Sequence, residues 1–92
     1  MPLSSNERRA LAARGQRLRA RIVIRAGELS ETAVAHVRSA FARADLIKVR
    51  ISTDDRVACE RAAAQLAERI PCELVQRIGR VVLLYRPAAR PE

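Results

Sequence analysis

Hydrophobic and polar residues follow two different periods along this chain. Apolar residues occupy every second position in residues 20–25 and 47–51, a pattern typical of half-buried strands. Between these segments, apolar residues recur three or four positions apart over 33–44, after a serine suited to cap a helix, Ser30. The two periods therefore predict an alternation of strands and helices.

The same reasoning extends the elements to both ends of the chain. A first helix is predicted from a cap within residues 4–6 to about Leu18, with Leu11 and Leu18 on one face. A third helix starts near residues 53–55 and ends before Pro71. Two further strands, over 72–77 and 81–86, flank Gly79, which permits a tight hairpin.

The predicted order is helix, strand, helix, strand, helix, strand, strand. Strands separated by a helix pair in parallel through right-handed crossovers, whereas a hairpin is antiparallel. We therefore predict a single α/β domain of order αβαβαββ, with a four-stranded mixed sheet and packed helices.

Charge is the strongest signal in the composition. The chain has 18 Lys+Arg against 10 Asp+Glu, and Lys48 is its only lysine. Residues 1–27 contain seven of the arginines but a single acidic residue, Glu7. A one-sided positive field attracts polyanions, and the guanidinium group pairs bidentately with phosphate. The charge favours nucleic acid as the partner, although a basic surface that only maintains solubility is the alternative.

Other classes of function find little support in the sequence. No segment is suited to span a membrane or to act as a signal peptide, so we expect a cytoplasmic protein. Cys59 and Cys72 lack the spacing of metal ligands, and capping explains Asp54 and Asp55 better than metal binding does. No catalytic triad, Walker loop or dinucleotide motif occurs. We expect a monomeric, non-enzymatic protein without cofactor, metal or small-molecule substrate.

Several short motifs, spread over residues 3–87, resemble one known family. They are Leu3-Ser4 followed by Arg8-Arg9-x-Leu11, then Leu29-Ser30-Glu31, Leu46-Ile47-Lys48-Val49, and Glu73-Leu74-Val75-Gln76-x-Ile78-Gly79-Arg80 leading to Leu84-Tyr85-Arg86-Pro87. In combination they are similar to the CRM domain, the chloroplast RNA splicing and ribosome maturation module, in its stand-alone bacterial YhbY-like form.

The resemblance implies an RNA-binding domain whose fold is similar to the C-terminal domain of bacterial translation initiation factor three. It also implies association with precursors of the large ribosomal subunit and a role in ribosome assembly. On this basis we expect a CRM-like domain over residues 1–87 and a flexible tail over 88–92, with ribosomal RNA or the precursor particle as partner.

The family carries a Gly-x-x-Gly loop between the first strand and the second helix, comparable to the loop with which KH domains clamp a nucleic-acid backbone. Here the four positions are Arg25, Ala26, Gly27 and Glu28, so both bracketing glycines are replaced. Gly27 still permits close approach of a phosphate and Arg25 supplies a cation, whereas the carboxylate of Glu28 repels phosphate. Two interpretations remain open, a loop that contacts RNA and a turn that is only structural.

Basic residues elsewhere complete the predicted site. The first helix offers the best phosphate contacts, and its alternative is an ordinary solvated face. Lys48 and Arg50 project from the strand face opposite Ile47, where they either meet RNA or keep the sheet surface wet, while Arg80 is as often structural as functional beside a hairpin. His36 has no partner and is assigned no chemistry. The predicted RNA-binding residues are Arg8, Arg9, Arg14, Arg17, Arg25, Ala26, Gly27, Glu28, Ser30, Lys48, Arg50 and Arg80.

Two functions remain open at this point. The first is an RNA-binding factor that acts on large-subunit precursors, with its arginines forming a shared positive surface beside Gly27. The second is a protein-interaction module that no longer binds RNA, having also lost its bracketing glycines.

Overall fold

A computed structural model describes residues 3–27 and 29–86 of the chain. This part forms helices α1 (Ser5–Gly15), α2 (Glu31–Ala40) and α3 (Arg56–Arg69), and strands β1 (Ile22–Arg25), β2 (Leu46–Ser52), β3 (Glu73–Ile78) and β4 (Val81–Tyr85). The predicted order αβαβαββ is confirmed. The end of the last strand at Pro87 and the tail over 88–92 lie outside the described residues and stay predictions.

Each helix begins at a polar residue whose side chain accepts a hydrogen bond from a first-turn backbone amide that has no partner within the helix. At the start of α1, the Ser4 hydroxyl accepts from the Glu7 amide at 3.1 Å and the Glu7 carboxylate accepts from the Ser4 amide at 2.9 Å. These hydrogen bonds lower the pKa of Glu7. The Ser30 hydroxyl accepts from the Ala33 amide at 3.1 Å, and Asp55 caps α3 in the same way. The caps fix the helix starts close to where the sequence predicts them.

The four strands form one mixed sheet in the order β1-β2-β4-β3. Strand β1 is parallel to β2, whereas β4 is antiparallel to both β2 and β3. The β3–β4 hairpin turns at Gly79, whose φ of +59° lies in the left-handed region that glycine adopts without strain. The register of β3 against β4 shifts between Leu74 and Gln76, so Val75 forms a bulge in this edge strand.

The sheet separates two apolar layers. Helices α2 and α3 pack on one face over the main core, which includes Val37, Val49, Ile51, Leu66 and Leu84. Helix α1 packs on the other face over a smaller cluster of Leu11, Leu46, Val75 and Leu83. Helix α1 contacts β2, β3 and β4 but does not cover this whole second face of the sheet. Val23 and Ile78 lie on the uncovered part, where the two residues are 61% and 66% exposed.

The first helix is shorter than predicted, because it ends at Gly15, where the chain passes into tight turns. Gly15 lies against Leu83, so close that a Cβ at this position would come within 2.5 Å of the Leu83 side chain. The chain then leaves the sheet through tight turns, in which the Arg17 and Leu18 amides each donate to the carbonyl three residues earlier at 3.1 Å. Leu18 is therefore 37% exposed and does not share the buried face of Leu11.

The bounds of two further elements also differ from the prediction. Helix α2 ends at Ala40, where Phe41 caps it, and residues 41–43 form a turn that continues the apolar spacing without continuing the helix. Strand β1 begins at Ile22, two residues later than the alternation indicates, because pairing with β2 starts there. The resulting connector, residues 16–21, carries three arginines beside the first residue of β1.

Candidate nucleic-acid interface

The arginines of α1 do not form one free basic face. Arg8 is half-buried, and its Nη1 donates to the carbonyl oxygens of Leu74 at 2.7 Å and Val75 at 2.6 Å. These carbonyls lie at the bulge of β3, where the ladder with β4 is interrupted. Arg8 therefore attaches α1 to the sheet, and its guanidinium is occupied within the fold.

Arg14, near the end of α1, is also held by a partner within the protein. Its Nη2 lies 2.8 Å from Asp45 Oδ1, just before β2 begins. The hydrogen bond from Arg14 lowers the pKa of Asp45, and the same bond raises the pKa of Arg14. Arg14 is exposed and Asp45 is half-buried, and the pair joins the end of α1 to the start of β2 while neutralising one charge of the helix.

Lys48 positions the connector that follows α1. The residue is half-buried on the α1 face of β2, and its Nζ donates to the Leu18 carbonyl at 3.2 Å. This bond holds residues 16–21 against the first residues of the sheet. Lys48 thereby fixes the chain segment that carries Arg17 and Arg19.

Five basic residues line a cleft at the start of β1, which we call the arginine cleft. It has a volume of about 730 Å³ and lies between the connector, the last turns of α2 and the first residues of β1 and β2. Its basic residues are Arg17, Arg19, Arg21, Arg43 and Lys48, and its other lining residues are Leu18, Ile22, His36, Ser39, Ala40, Ala44, Leu46 and Ile47. None of these lining residues is acidic. Within the described part of the chain, the four arginines make no ion pair.

Helix α2 contributes one wall of this cleft through a single helical face. His36, Ser39, Ala40 and Arg43 follow the i, i+3, i+4, i+7 spacing that places side chains on one side of a helix or its continuation. The opposite side carries Val34 and Val37 into the core. Four residues that line the cleft are not among the predicted RNA-binding residues, namely Arg19, Arg21, Arg43 and His36. A charge run over 17–21 was visible in the sequence, whereas the meeting of Arg43 with that run exists only in the folded protein.

The turn at the other end of β1 has one exposed cation, and one of its backbone amides is already hydrogen-bonded within the fold. Arg25 is exposed, but Ala26 is half-buried against the core and its amide already donates to the Ser52 carbonyl at 3.3 Å. Gly27 is exposed, and a Cβ there would meet nothing within 4 Å. Ser30 caps α2 with its hydroxyl. The predicted contact of Glu28 lies outside the described residues.

The positive charge of the β3–β4 hairpin, beside this turn, is partly neutralised by acidic side chains. Arg80 Nη2 lies 3.7 Å from Asp54 Oδ1, and Arg77 Nη2 donates to Glu60 at 3.1 Å. The Arg80 carbonyl accepts from the Ile51 amide at 2.7 Å, which joins the hairpin to the end of β2. Acidic partners therefore offset the arginines at this end of the sheet.

The last two predicted residues, Arg9 and Arg50, are exposed and lie apart from the arginine cleft. Arg9 is on the outer side of α1. Arg50 is on the uncovered face of β2, directly across from Val23 in β1, and the alternation along β1 places Arg25 on the same face. The predicted arginines thus have different environments: Arg8 is internal, Arg14 and Arg80 are paired with aspartates, Arg17 lines the cleft, Arg9 is on α1, and Arg25 and Arg50 are on the uncovered sheet face. They do not form the one shared positive surface that we expected beside Gly27, and the arginine cleft lies at the other end of β1.

Membrane-spanning helices and metal centres are two other features that the fold could contain. Over residues 3–27 and 29–86, no helix has the length and apolar character needed to cross a membrane. The same residues contain no group of three or more His, Cys, Asp and Glu side chains arranged to hold a metal ion.

Both the fold and the sequence of this chain are similar to those of known proteins. The solution structure of the hypothetical protein SAV1595 from Staphylococcus aureus, described as a candidate RNA binding protein, has a similar fold with a TM-score of 0.83. The two sequences are 23% identical over 98% of this chain and 94% of that one. The sequence itself matches the CRS1 / YhbY (CRM) domain over residues 3–86. The resemblance stated from the motifs is confirmed, and the chain belongs to the CRS1 / YhbY (CRM) domain family.

Proposed function

We propose that this protein binds structured RNA through phosphate contacts and acts in the cytoplasm on precursors of the large ribosomal subunit during their assembly. The observation that carries the proposal is the arginine cleft, in which four arginines and a lysine converge without an acidic lining residue. Membership of the CRM family and the likeness to a candidate RNA binding protein support RNA as the polyanion.

Free guanidinium groups are the appropriate chemistry for this role. An arginine already paired with a carboxylate must lose that partner before it binds phosphate, so Arg14 and Arg80 are less suited than the cleft arginines. Each free arginine that neutralises a phosphate releases condensed counterions, and this release favours binding at low salt. We therefore assign the main phosphate contacts to Arg17, Arg19 and Arg43, with Arg21 beside them.

The uncovered sheet face extends this surface toward the turn. Strand β1 is four residues long, so its ends are separated by about 10 Å. An RNA backbone bound at the arginine cleft can therefore also reach Arg25 and Arg50. Gly27 lies beyond Arg25 with open space around it, so close approach of a phosphate to the turn meets no steric obstacle.

Salt-dependent binding tests this assignment. Fluorescence anisotropy with a structured fragment of large-subunit ribosomal RNA should show affinity that falls steeply with salt, and Arg19→Gln and Arg43→Gln should each weaken it. Removing one arginine–phosphate contact should also reduce the slope of log K against log salt by about 1. Arg61→Gln is the matched control, because Arg61 is exposed on α3 and does not line the cleft. Equal effects of all three variants would refute the assignment to the cleft.

Sedimentation of the tagged protein from cell extracts tests the assembly role. We expect co-migration with large-subunit precursor particles, and loss of this co-migration when ribonuclease removes the accessible RNA. Co-migration that survives the ribonuclease would favour the second candidate from the sequence, a protein-interaction module. Absence of the protein from precursor particles would refute the role in large-subunit assembly.

A further inference from the structure

We infer that the arginine cleft takes up one unpaired nucleotide of the bound RNA, with its base against the apolar floor and its flanking phosphates at the arginine rim. The inference rests on the proposed function and adds a substrate class to it, namely structured RNA that carries a bulged or otherwise unpaired nucleotide. It follows from the chemistry of the floor, the arrangement of the rim and the size of the cleft.

The floor of the cleft is apolar, which a site for phosphate alone does not require. Ile22 and Ile47 reach it from the main core, and Ala40 and Ala44 line it from the side of α2. Leu18, which is 37% exposed, leaves apolar surface in contact with water until a ligand covers it. A nucleobase has a flat aromatic face that would cover this surface while its polar edges stay toward the rim, whereas a phosphate would not cover it.

The rim places cations on two sides of that floor. Arg17, Arg19 and Arg21 come from the connector, and Arg43 comes from the turn after α2. A nucleotide within a chain has a phosphate on each side, so a base between the two walls would direct its flanking phosphates toward the two sets of arginines. A guanidinium plane also stacks on a base.

Stacking in this cleft falls to its arginines and to the imidazole of His36, because the chain has one Phe and one Tyr and no Trp. Phe41 is buried in the main core, and Tyr85 packs with the smaller cluster beneath α1. Neither of these two rings lines the arginine cleft. The cleft therefore lacks the large aromatic platform of domains that stack bases on Phe, Tyr or Trp.

The size of the cleft points to a single nucleotide. Its volume of about 730 Å³ is within the range of sites that enclose one small molecule. A continuous RNA duplex keeps the flat faces of its bases stacked in the interior and offers phosphates, sugars and polar base edges to the rim, none of which covers an apolar floor. The apolar floor is therefore reached only where a base leaves the stack.

Three RNA hairpins test the inference. The three hairpins have the same sequence except at one position. The first is fully paired there, the second carries one bulged nucleotide, and the third carries an abasic bulge that has the phosphate but no base. Fluorescence anisotropy with the complete protein should show about tenfold tighter binding of the bulged hairpin than of the other two. The abasic hairpin separates recognition of the base from recognition of a flexible backbone.

A variant that fills the cleft without changing charge locates the effect. Ala44 is exposed and lines the cleft, so Ala44→Leu should reduce the preference for the bulged hairpin over the paired one to about onefold. Ala64→Leu is the matched control, since Ala64 is exposed on α3 and does not line the cleft. The control should retain the preference of about tenfold.

The outcomes separate the inference from the proposed function. Equal binding of the three hairpins by the unaltered protein would overturn the inference and leave RNA binding intact, whereas binding to none of them would overturn both. A preference shared by the abasic hairpin would show that the backbone is recognised and not the base. A preference that survives Ala44→Leu would place the nucleotide outside the cleft. Either of these last two results overturns the inference.

Discussion

Arg8 and Arg9 are neighbours on α1, but replacing them by methionine should affect the stability of the protein differently. Arg8 Nη1 donates to two carbonyls of β3, whereas Arg9 is exposed and makes no hydrogen bond with a described residue. Methionine retains an apolar stem, so the substitution removes the guanidinium with little loss of packing. Because Arg8 is half-buried, its two charge-assisted bonds together should contribute about 2 kcal/mol to the free energy of unfolding.

Urea denaturation followed by circular dichroism measures this contribution. Arg8→Met should lose about 2 kcal/mol, equivalent to a Tm lower by about 10 °C for a domain of this size. Arg9→Met should change the free energy of unfolding by less than about 0.5 kcal/mol. RNA affinity, measured where both variants are folded, should change little for Arg8→Met. Equal stability of both variants, together with a loss of RNA affinity confined to Arg8→Met, would refute the internal role.

Three further predictions concern the fold and its response to pH. Gly15→Ala should lower the free energy of unfolding by about 1 kcal/mol in urea, because the clash with Leu83 outweighs the gain in helix propensity; unchanged stability would show that α1 has room to move outward. The lowered pKa of Asp45 means that its pair with Arg14 stabilises the fold above the ordinary pKa of aspartate, and that this contribution is lost as the pH falls through the lowered pKa. In thermal melts, Asp45→Asn should therefore be less stable than the unaltered protein at neutral pH by no more than about 1 kcal/mol, and a difference that persists unchanged well below pH of about 3 would contradict this. Burial raises the pKa of Cys72 to about 11, so its alkylation by iodoacetamide in the folded protein should still accelerate near pH of about 10, and a plateau near pH of about 9 would be inconsistent with that burial.

The order of the elements was predictable because its signals are local. Ser30 and Asp55 cap helices that begin within two residues of them, and Gly79 occupies the left-handed position that the hairpin needs. Alternating residues in β2 face opposite sides of the sheet wherever that strand packs. None of these features depends on knowing which distant segment lies nearby.

The division of the arginines was not predictable from the sequence, since it depends on tertiary contacts. Arg8 is internal because a bulge in β3 leaves its carbonyls accessible, and those carbonyls are more than sixty residues away along the chain. The spacing of Leu18 from Leu11 indicates one helical face. The helix nevertheless ends at Gly15, which packs against Leu83, so Leu18 lies beyond it. Local spacing carries no information about either contact.

The position of β4 has a consequence for the order in which the protein can acquire its structure. This strand is the last of the described elements to be synthesised, yet it lies between β2 and β3 in the interior of the sheet. Until Val81–Tyr85 has emerged from the ribosome, the nascent chain lacks the strand that joins the β1–β2 pair to β3. The domain should therefore close late in translation, and until then the unpaired edges of β2 and β3 are exposed to the surrounding medium.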